Sequence, residues 1–318
     1  MGEAETPGAS LDRNLASRLS ARTAVIGGSL CLLALLLTGL AITLLPAVRW
    51  HDILALRDFS TLATPSARGW ENLVAEIVDT GPAFFLGAVI IATALARRRV
   101  RVALLATAIM IGASASTELI KALLAVPRHS PILDPQQVPL HSWPSGHSTA
   151  IMAIALSAVI VAPRRWRPAV AATGALLALG VAFSVLALKW HFPSDVIGGY
   201  LMAGTWACFG VAALRVADDR WPARQHAPGS SRLASLARPV RRFGPALARL
   251  AAALAALKSA FGLAAVAVAA LLALLVIASQ AGGVIGFASS HLPMLGAAAV
   301  IAALAVGLSG AAVLALRR

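Results

Sequence analysis

The sequence predicts an all-α fold, a polytopic membrane helical bundle with a six-span core and two extra C-terminal spans. Hydrophobic residues make up 59% of the 318 residues, charged residues only 13%, and the mean hydropathy is +0.81. A soluble domain carries about 25% charged residues, so this composition belongs to a membrane protein. Apolar stretches of about 20 residues, the length that crosses a bilayer, recur along the chain. Basic residues concentrate in alternate connections between them, as in multi-span proteins.

Eight apolar segments are long enough, or nearly long enough, to span a bilayer. The first exceeds a signal-peptide core of about 7–15 residues and therefore predicts a retained helix. The fourth is short, and its helix is expected to begin near Ser145. The segments run roughly over residues 24–46, 73–96, 102–126, 148–163, 169–190, 194–214, 261–279 and 294–315.

These segments divide the chain into four parts: a polar cytoplasmic tail (1–23), a six-span core (24–215), a basic linker (216–258) and a two-span C-terminal hairpin (259–318). Apolar residues in the linker recur at steps of three and four, which predicts an interfacial helix on an anionic leaflet. Pro239 and Pro245 argue against one straight helix. A partly disordered basic linker remains the alternative.

The distribution of Lys and Arg predicts the orientation. With the N-terminus inside, 21 of the 27 basic residues fall in cytoplasmic segments and five fall outside. Both termini are therefore expected in the cytoplasm of a multi-pass cell-membrane protein. The connections before the fourth and sixth spans then face outward.

Several functional classes do not fit this composition. The net charge of +14 lies between apolar spans, with no aromatic stacking platform for nucleic acid. The two cysteines, Cys31 and Cys208, lie within apolar spans, so no disulfide framework or zinc site is expected. The oligomeric state is left open.

Two basic residues bracket the end of the third span. Lys121 lies inside the span and Arg128 begins the following loop. Arg128 fits snorkelling toward the interface well, but Lys121 fits it less well, because Glu118 precedes it by one turn. A Glu118–Lys121 pair indicates a polar, water-accessible pocket, and we expect both cations to contact an anionic substrate.

The run Pro144-Ser145-Gly146-His147 immediately precedes the fourth span. Ser145 is a predicted N-cap, and a helix start offers unpaired backbone N–H groups and a positive dipole end. Gly146 lets an anion approach the backbone closely. These features predict a phosphate cradle with His147 in its first turn; an ordinary capped helix is the alternative.

His191 and Asp195 lie between the fifth and sixth spans. A carboxylate four residues on can bond one imidazole nitrogen, which leaves the other free to attack phosphorus. Asp134 and Asp195 are the only acidic residues in 127–195, too few for a two-metal phosphatase. We therefore expect no cofactor and no metal, with cations and backbone N–H groups meeting the phosphoryl charge.

Lys121-x6-Arg128, Pro144-Ser145-Gly146-His147, and Ser184 with His191-x3-Asp195 together resemble the type-2 phosphatidic acid phosphatase superfamily. This is a six-span membrane group that shares its core with the vanadium haloperoxidases. The resemblance covers about residues 70–215. It implies a nucleophilic His191 oriented by Asp195, a general acid at His147, and phosphate binding by Lys121, Arg128, Ser145 and Gly146.

The sequence departs from the family's motifs at two positions. His129 follows Arg128 where a proline is usual, and Val185 follows Ser184 where an arginine is usual. The second change removes a phosphate-binding charge. Lys189 lies four residues after Val185, and we expect it on the same helix face, where it supplies the missing charge.

The resemblance implies hydrolysis of a membrane lipid phosphate or pyrophosphate through a phosphohistidine. A polyprenyl pyrophosphate is the first expectation for the substrate, followed by phosphatidic acid or phosphatidylglycerol phosphate. A lipid phosphotransferase would use the same residues. The competing class is a catalytically impaired lipid-binding, scramblase-like or scaffold protein, which Val185 favours. A transporter is a weaker third option.

Overall fold

The computed structural model describes residues 7–62, 68–76, 78–133, 137–221 and 290–316, and within them every α-helix and 3-10 turn belongs to one compact unit. The predicted span 261–279 and residues 222–258 of the predicted linker lie outside these ranges. The helices are α1 (Pro7–Leu44), α2 (Pro46–Ser60), α3 (Arg68–Glu76), α4 (Thr80–Ala96), α5 (Val100–Leu123), α6 (Gly146–Val161), α7 (Arg167–Ala187), α8 (Pro193–Arg220) and α9 (Leu292–Ala315), with a 3-10 turn at Pro131–Leu133.

Five of these helices are long and apolar enough to cross a membrane: part of α1 (Ala21–Leu44), α5, α7, α8 and α9. Two more, α4 and α6, are apolar but shorter. The predicted all-α, multi-pass membrane architecture is confirmed in these coarse terms. The predicted count of six plus two spans is not confirmed by these helices.

Helix boundaries differ from the prediction at three places. Helix α1 begins at Pro7, inside the predicted tail, and α8 continues to Arg220, past the predicted boundary at residue 215. The predicted second span, 73–96, is divided into α3 and α4. Asp79 is the N-cap residue of α4, and Pro82, which has no backbone N–H, suits its first turn.

Helix α2 was not predicted, because charged residues interrupt its 15 residues, which are too few to cross a bilayer. Pro46 occupies its first turn, and one face buries Ile53, Leu56 and Phe59 at steps of three. This face packs toward α7, α8 and α9. Helix α2 therefore brings its polar residue Asp52, also buried, into the protein.

Helix α8 is the centre of the bundle. In its most apolar 18-residue stretch, 67% is buried inside the protein, whereas the corresponding stretches of α1 and α9 are each 22% buried. Helix α8 packs against α1, α5, α6 and α9. Four helix termini lie at the same end of this bundle: the end of α5, the start of α6, the end of α7 and the start of α8. The predicted site residues belong to these four termini.

Candidate active site

Ser145 ties the start of α6 to the start of α8. Its Oγ accepts a hydrogen bond from the Ser148 backbone N–H at 3.3 Å, which confirms the predicted N-cap. Its own N–H donates to the Asp195 carbonyl at 2.9 Å. A Cβ at Gly199 of α8 would lie 2.7 Å from the Ser145 carbonyl oxygen, so glycine is needed for this approach. The helix start is held against α8 by backbone contacts.

Lys121 reaches this helix start. A Cβ at Gly146 would lie 3.1 Å from the Lys121 Nζ, so the ammonium group is close to the first turn of α6. Nζ also donates to Glu118 Oε1 at 2.8 Å, as the sequence predicted. The Lys121 side chain is 19% exposed and that of Glu118 is 67% exposed. The cation is thus mostly enclosed while its carboxylate partner faces outward.

The two histidines face one another. The ring centroids of His147 and His191 are 6.0 Å apart with an interplanar angle of 62°. His191 is buried, and its Nδ1 lies 3.4 Å from Asp195 Oδ2, a long hydrogen bond. Asp195 Oδ2 also accepts the Phe192 N–H at 2.9 Å, which holds the carboxylate in place. This leaves Nε2 of His191 available for chemistry.

Asp79 is a contact of His147 that the sequence reasoning missed. Its Oδ1 lies 3.3 Å from His147 Nε2, and its side chain does not cap α4. Burial and the neighbouring His191 lower the pKa of His147 below its ordinary value, and the Asp79 carboxylate, whose side chain is 53% exposed, opposes this by favouring the protonated imidazole. The sequence carried one signal, an acidic residue directly before a Thr-Gly-Pro helix start.

Arg128 lies at the centre of a buried network rather than at the interface. Its side chain is 1% exposed, so the snorkelling alternative is wrong. Its guanidinium Cζ also lies 4.0 Å from the Phe192 ring centroid. Its terminal nitrogens donate to Asp52 Oδ2 (2.8 Å), Ser194 Oγ (2.8 Å), Ser142 Oγ (2.8 Å) and Asp195 Oδ1 (2.5 Å).

One donor of Arg128 remains. Among the described residues its Nε is buried and has no hydrogen-bond partner. A buried N–H of a cation without an acceptor is costly, so this atom is suited to an anionic oxygen from outside the protein. Arg128 is thus bonded to Asp195 and retains a single free donor.

Asp52 is the second residue that sequence reasoning missed. Its Oδ1 accepts the Ser194 backbone N–H at 3.0 Å, and its Oδ2 accepts from Ser194 Oγ at 2.6 Å. Burial raises the pKa of the Asp52 carboxyl above its ordinary value; Arg128 and Ser194 lower it, and Asp195 raises it further. Asp52 completes the Arg128 network and satisfies a donor at the start of α8.

Lys189 does not lie where the sequence predicted. Helix α7 ends at Ala187, and Lys189 has a positive φ of 57°. Its N–H bonds the Leu186 carbonyl at 3.0 Å and the Trp190 N–H bonds the Val185 carbonyl at 2.9 Å, the pattern of a Schellman C-cap. The expected placement on the same helix face as Ser184 and Val185 is therefore wrong. The Lys189 Nζ lies 3.5 Å from the Leu133 carbonyl oxygen.

Val185 is fully buried, and its carbonyl also accepts the His191 N–H at 3.3 Å. The C-cap of α7 thus fixes the backbone position of His191, the candidate nucleophile, through a direct hydrogen bond. Of the predicted residues, the structure brings together Lys121, Arg128, Ser145, Gly146, His147, His191 and Asp195. Among the described residues, no group of three His, Cys, Asp or Glu side chains could hold a metal ion.

Most residues of this site, apart from Asp52 and Asp79, lie in a segment that matches a family model. Residues 101–218 match the family model of the PAP2 superfamily, which confirms the resemblance carried by the motifs. The match covers α5 to α8 of this multi-pass helical protein, apart from the first residue of α5 and the last two residues of α8.

One solved structure that matches this chain is the crystal structure of the first transmembrane PAP2 type phosphatidylglycerolphosphate phosphatase from Bacillus subtilis. It is 19% identical in sequence, has a TM-score of 0.49, and the match covers 63% of this chain and 99% of that one. No curated protein sequence matches this chain.

Proposed function

We propose that this protein is a membrane phosphatase that hydrolyses a lipid phosphate or pyrophosphate through a phosphohistidine on His191, without a metal. The observation that carries the proposal is the facing pair of His147 and His191, with Asp195 on the Nδ1 side of His191. A carboxylate on one imidazole nitrogen holds the other as a lone-pair nucleophile. Two histidines whose ring centroids are 6.0 Å apart suit a nucleophile and a general acid acting on one phosphoryl group.

The reaction has two steps. In the first, His191 Nε2 attacks the terminal phosphorus and the bond to the leaving oxygen breaks. That oxygen is the lipid oxygen of a monophosphate or the bridging oxygen of a pyrophosphate, and protonated His147 donates its proton to it. In the second, water attacks the phosphohistidine, the N–P bond breaks, and His147 takes the water's proton. Inorganic phosphate leaves and the enzyme returns to its starting state.

The phosphoryl oxygens need positive charge throughout both steps. Lys121 beside Gly146, the first N–H groups of α6 and the free Nε–H of Arg128 are the groups proposed for this role. Ser145 contributes through the cap that holds the helix start. With Val185 in place of an arginine, Lys121 and Arg128 carry most of the binding charge.

The substrate is proposed to enter from the membrane on the extracytoplasmic face. A polyprenyl pyrophosphate carrier is the first candidate, because an outward site suits recycling of a carrier. Phosphatidic acid and phosphatidylglycerol phosphate follow. Transfer of the phosphoryl group to an acceptor other than water is an outcome to be tested with the same residues.

The testing experiment is phosphate release by the purified protein in detergent with EDTA present. The panel contains a polyprenyl pyrophosphate, phosphatidic acid and phosphatidylglycerol phosphate. We expect release that survives EDTA and is lost in His191→Ala, while His51→Ala, which changes an exposed histidine of α2, keeps it. Transfer to added alcohol without free phosphate would indicate a phosphotransferase. No release from any lipid would contradict the proposal and favour a lipid-binding or scaffold protein; Val185→Arg would then test the missing charge.

A further inference from the structure

At the end of the bundle opposite the histidines, arginines converge on two helix C-termini. Arg97 and Arg99 each donate to the carbonyl of Val161, the last residue of α6, at 3.2 Å. Arg167 donates to the Leu316 carbonyl. Arg215 donates to the Ala315 carbonyl at 3.3 Å, at the end of α9. We call Arg97, Arg99, Arg164, Arg167 and Arg215 the arginine cluster.

The cluster carries more positive charge than the described residues around it neutralise. Arg99, Arg164, Arg215 and Arg97 all interact unfavourably with the charge on Arg167. The carboxylates that follow in α8 are Asp218 and Asp219. Asp218 pairs with Arg101 at 2.9 Å and also interacts favourably with Arg99, and two carboxylates cannot balance five arginines.

Each guanidinium has five N–H donors, so a single carbonyl contact leaves most of them available. Among the described residues, the Arg167 Nε is buried and has no partner. Such a group of cations is suited to an added anion.

An apolar groove begins at this cluster. It lies between α7 and α9, has a volume of about 570 Å³, and is lined at this end by Pro168 and Leu314. Pro168 follows Arg167 directly, and Leu314 precedes the carbonyl that Arg215 bonds. The groove runs along α7 to Leu179, so it is roughly 16 Å long at 1.5 Å per residue. This length is about half of a bilayer's ~30 Å hydrocarbon core, or one leaflet.

We propose that this surface binds an anionic phospholipid, with its phosphate on the arginine cluster and an acyl chain in the α7–α9 groove. The ligand differs from the substrate, because α7 is 21 residues long and separates the two sites by roughly 30 Å. A lipid satisfies both observations at once: the excess cations take its headgroup, and the apolar groove takes its chain. A free phosphate ion would use only the cations.

The charge of the cluster is tested by lipid binding to the full-length protein in nanodiscs. The bulk lipid is phosphatidylcholine, and phosphatidylglycerol, a phosphodiester, is the titrated probe. Arg167→Gln/Arg215→Gln should weaken phosphatidylglycerol binding about 25-fold, at about fivefold for each charge lost near a headgroup. Arg165→Gln is the matched control, since Arg165 is exposed in the same loop and outside the cluster. A loss of about fivefold in Arg165→Gln, the same per charge as in the double variant, would mean attraction to net charge and would overturn the proposal.

The groove is tested independently by filling it. Gly310 of α9 lines the groove and has open space where a Cβ would lie, so Gly310→Leu fills it without a clash. Gly307→Leu is the control, three residues earlier on α9, also in open space and outside the lining. We expect Gly310→Leu to weaken phosphatidylglycerol binding and Gly307→Leu to leave it unchanged. No effect of Gly310→Leu, or competition by glycerol 3-phosphate as strong as by the lipid, would contradict the groove.

Phosphate release from the proposed substrate is measured on the same samples. Loss of phosphatidylglycerol binding with retained release in phosphatidylcholine would support two separate sites. If the protein releases no phosphate but still binds phosphatidylglycerol, the proposed function fails and the proposed lipid site stands. If Arg167→Gln/Arg215→Gln lowers the melting temperature in phosphatidylcholine, Gly310→Leu carries the test alone.

Discussion

At the scale of single residues, two carboxylates outside the three motifs contact the groups that the motifs supply. Asp79 bonds His147, and Asp52 bonds Arg128 and the start of α8. Each acts on a proposed catalytic or binding residue through a side-chain contact rather than on the substrate. Both are therefore positioning residues. Substitution of Asp79 should change the pH dependence of activity, and substitution of Asp52 should lower the free energy of unfolding.

Asp79→Asn should change the pH dependence of phosphate release more than its maximum. The Asp79 carboxylate favours protonated His147, the form that donates a proton, so its removal makes that form less stable. The alkaline limb of the kcat–pH profile should therefore move to lower pH. Asp79→Glu should restore the profile. An unchanged limb with a uniformly lower kcat would contradict this role.

Asp52→Asn should destabilise the protein. Arg128 would keep Asp195 but lose its second carboxylate, and breaking a buried ion pair costs about 3 kcal/mol. The free energy of unfolding in detergent measures this loss. Asp218→Asn is the control, because Asp218 and its partner Arg101 are 52% and 41% exposed and such pairs contribute about 0–1 kcal/mol. Equal losses in the two variants would argue against a special role for the Arg128 network.

At the scale of helices, the site depends on where each helix starts and stops. The N-cap at Ser145 and the Schellman C-cap after α7 hold His147 and His191 in facing positions. The close contact of α8 with the start of α6 holds these two caps together. Two substitutions test these helix-level features.

Gly199→Ala should impair activity by shifting the start of α6. The alanine Cβ would lie 2.7 Å from the Ser145 carbonyl oxygen and 2.9 Å from the Thr149 backbone nitrogen. Backbone atoms cannot relieve such a clash by changing rotamer, so the helix itself would have to shift. Overpacking of this kind costs about 1–3 kcal/mol of stability. In Gly180→Ala of α7, the Cβ would lie 3.5 Å from Val74 Cγ1, an ordinary contact. Phosphate release and unfolding should change in the first variant and not in the second; retained activity in Gly199→Ala would contradict the close-packing argument.

Lys189→Gly should retain most activity and raise the free energy of unfolding by up to about 1 kcal/mol. Glycine adopts the positive φ of this C-cap position without the cost that a side chain carries. Lys121→Ala, measured beside it, should abolish phosphate release. A loss in Lys189→Gly as large as in Lys121→Ala would instead make Lys189 the replacement for the arginine absent at Val185.

At the scale of the whole molecule, the two ends of the bundle carry different chemistry. The histidines and Lys121 lie at one end, and the arginine cluster lies at the other. Because the basic end is expected in the cytoplasm, the catalytic end is expected outside. In this orientation the proposed substrate enters from the outer leaflet, and the proposed anionic lipid binds in the inner leaflet.

Cysteine labelling in intact cells tests the orientation. In a Cys31→Ala/Cys208→Ala background, His129→Cys in the α5–α6 connection should react with a membrane-impermeant maleimide. Arg165→Cys in the α6–α7 connection should react only after the cells are opened. Both native residues are exposed, so accessibility within the protein does not differ between the sites. The reverse pattern would place the catalytic end in the cytoplasm.

The sequence by itself determined the helical membrane character, the Ser145 cap, the Glu118–Lys121 pair and the motif residues. These features depend on apolar length and on neighbours within one or two helical turns, which a linear pattern records. The tertiary structure alone decided the burial of Arg128 and the roles of Asp52 and Asp79, whereas the local C-cap after α7 placed Lys189. Asp52 lies 76 residues from Arg128, and Asp79 lies 68 residues from His147. Contacts of this kind arise from the packing of separate helices, and no local spacing rule encodes them.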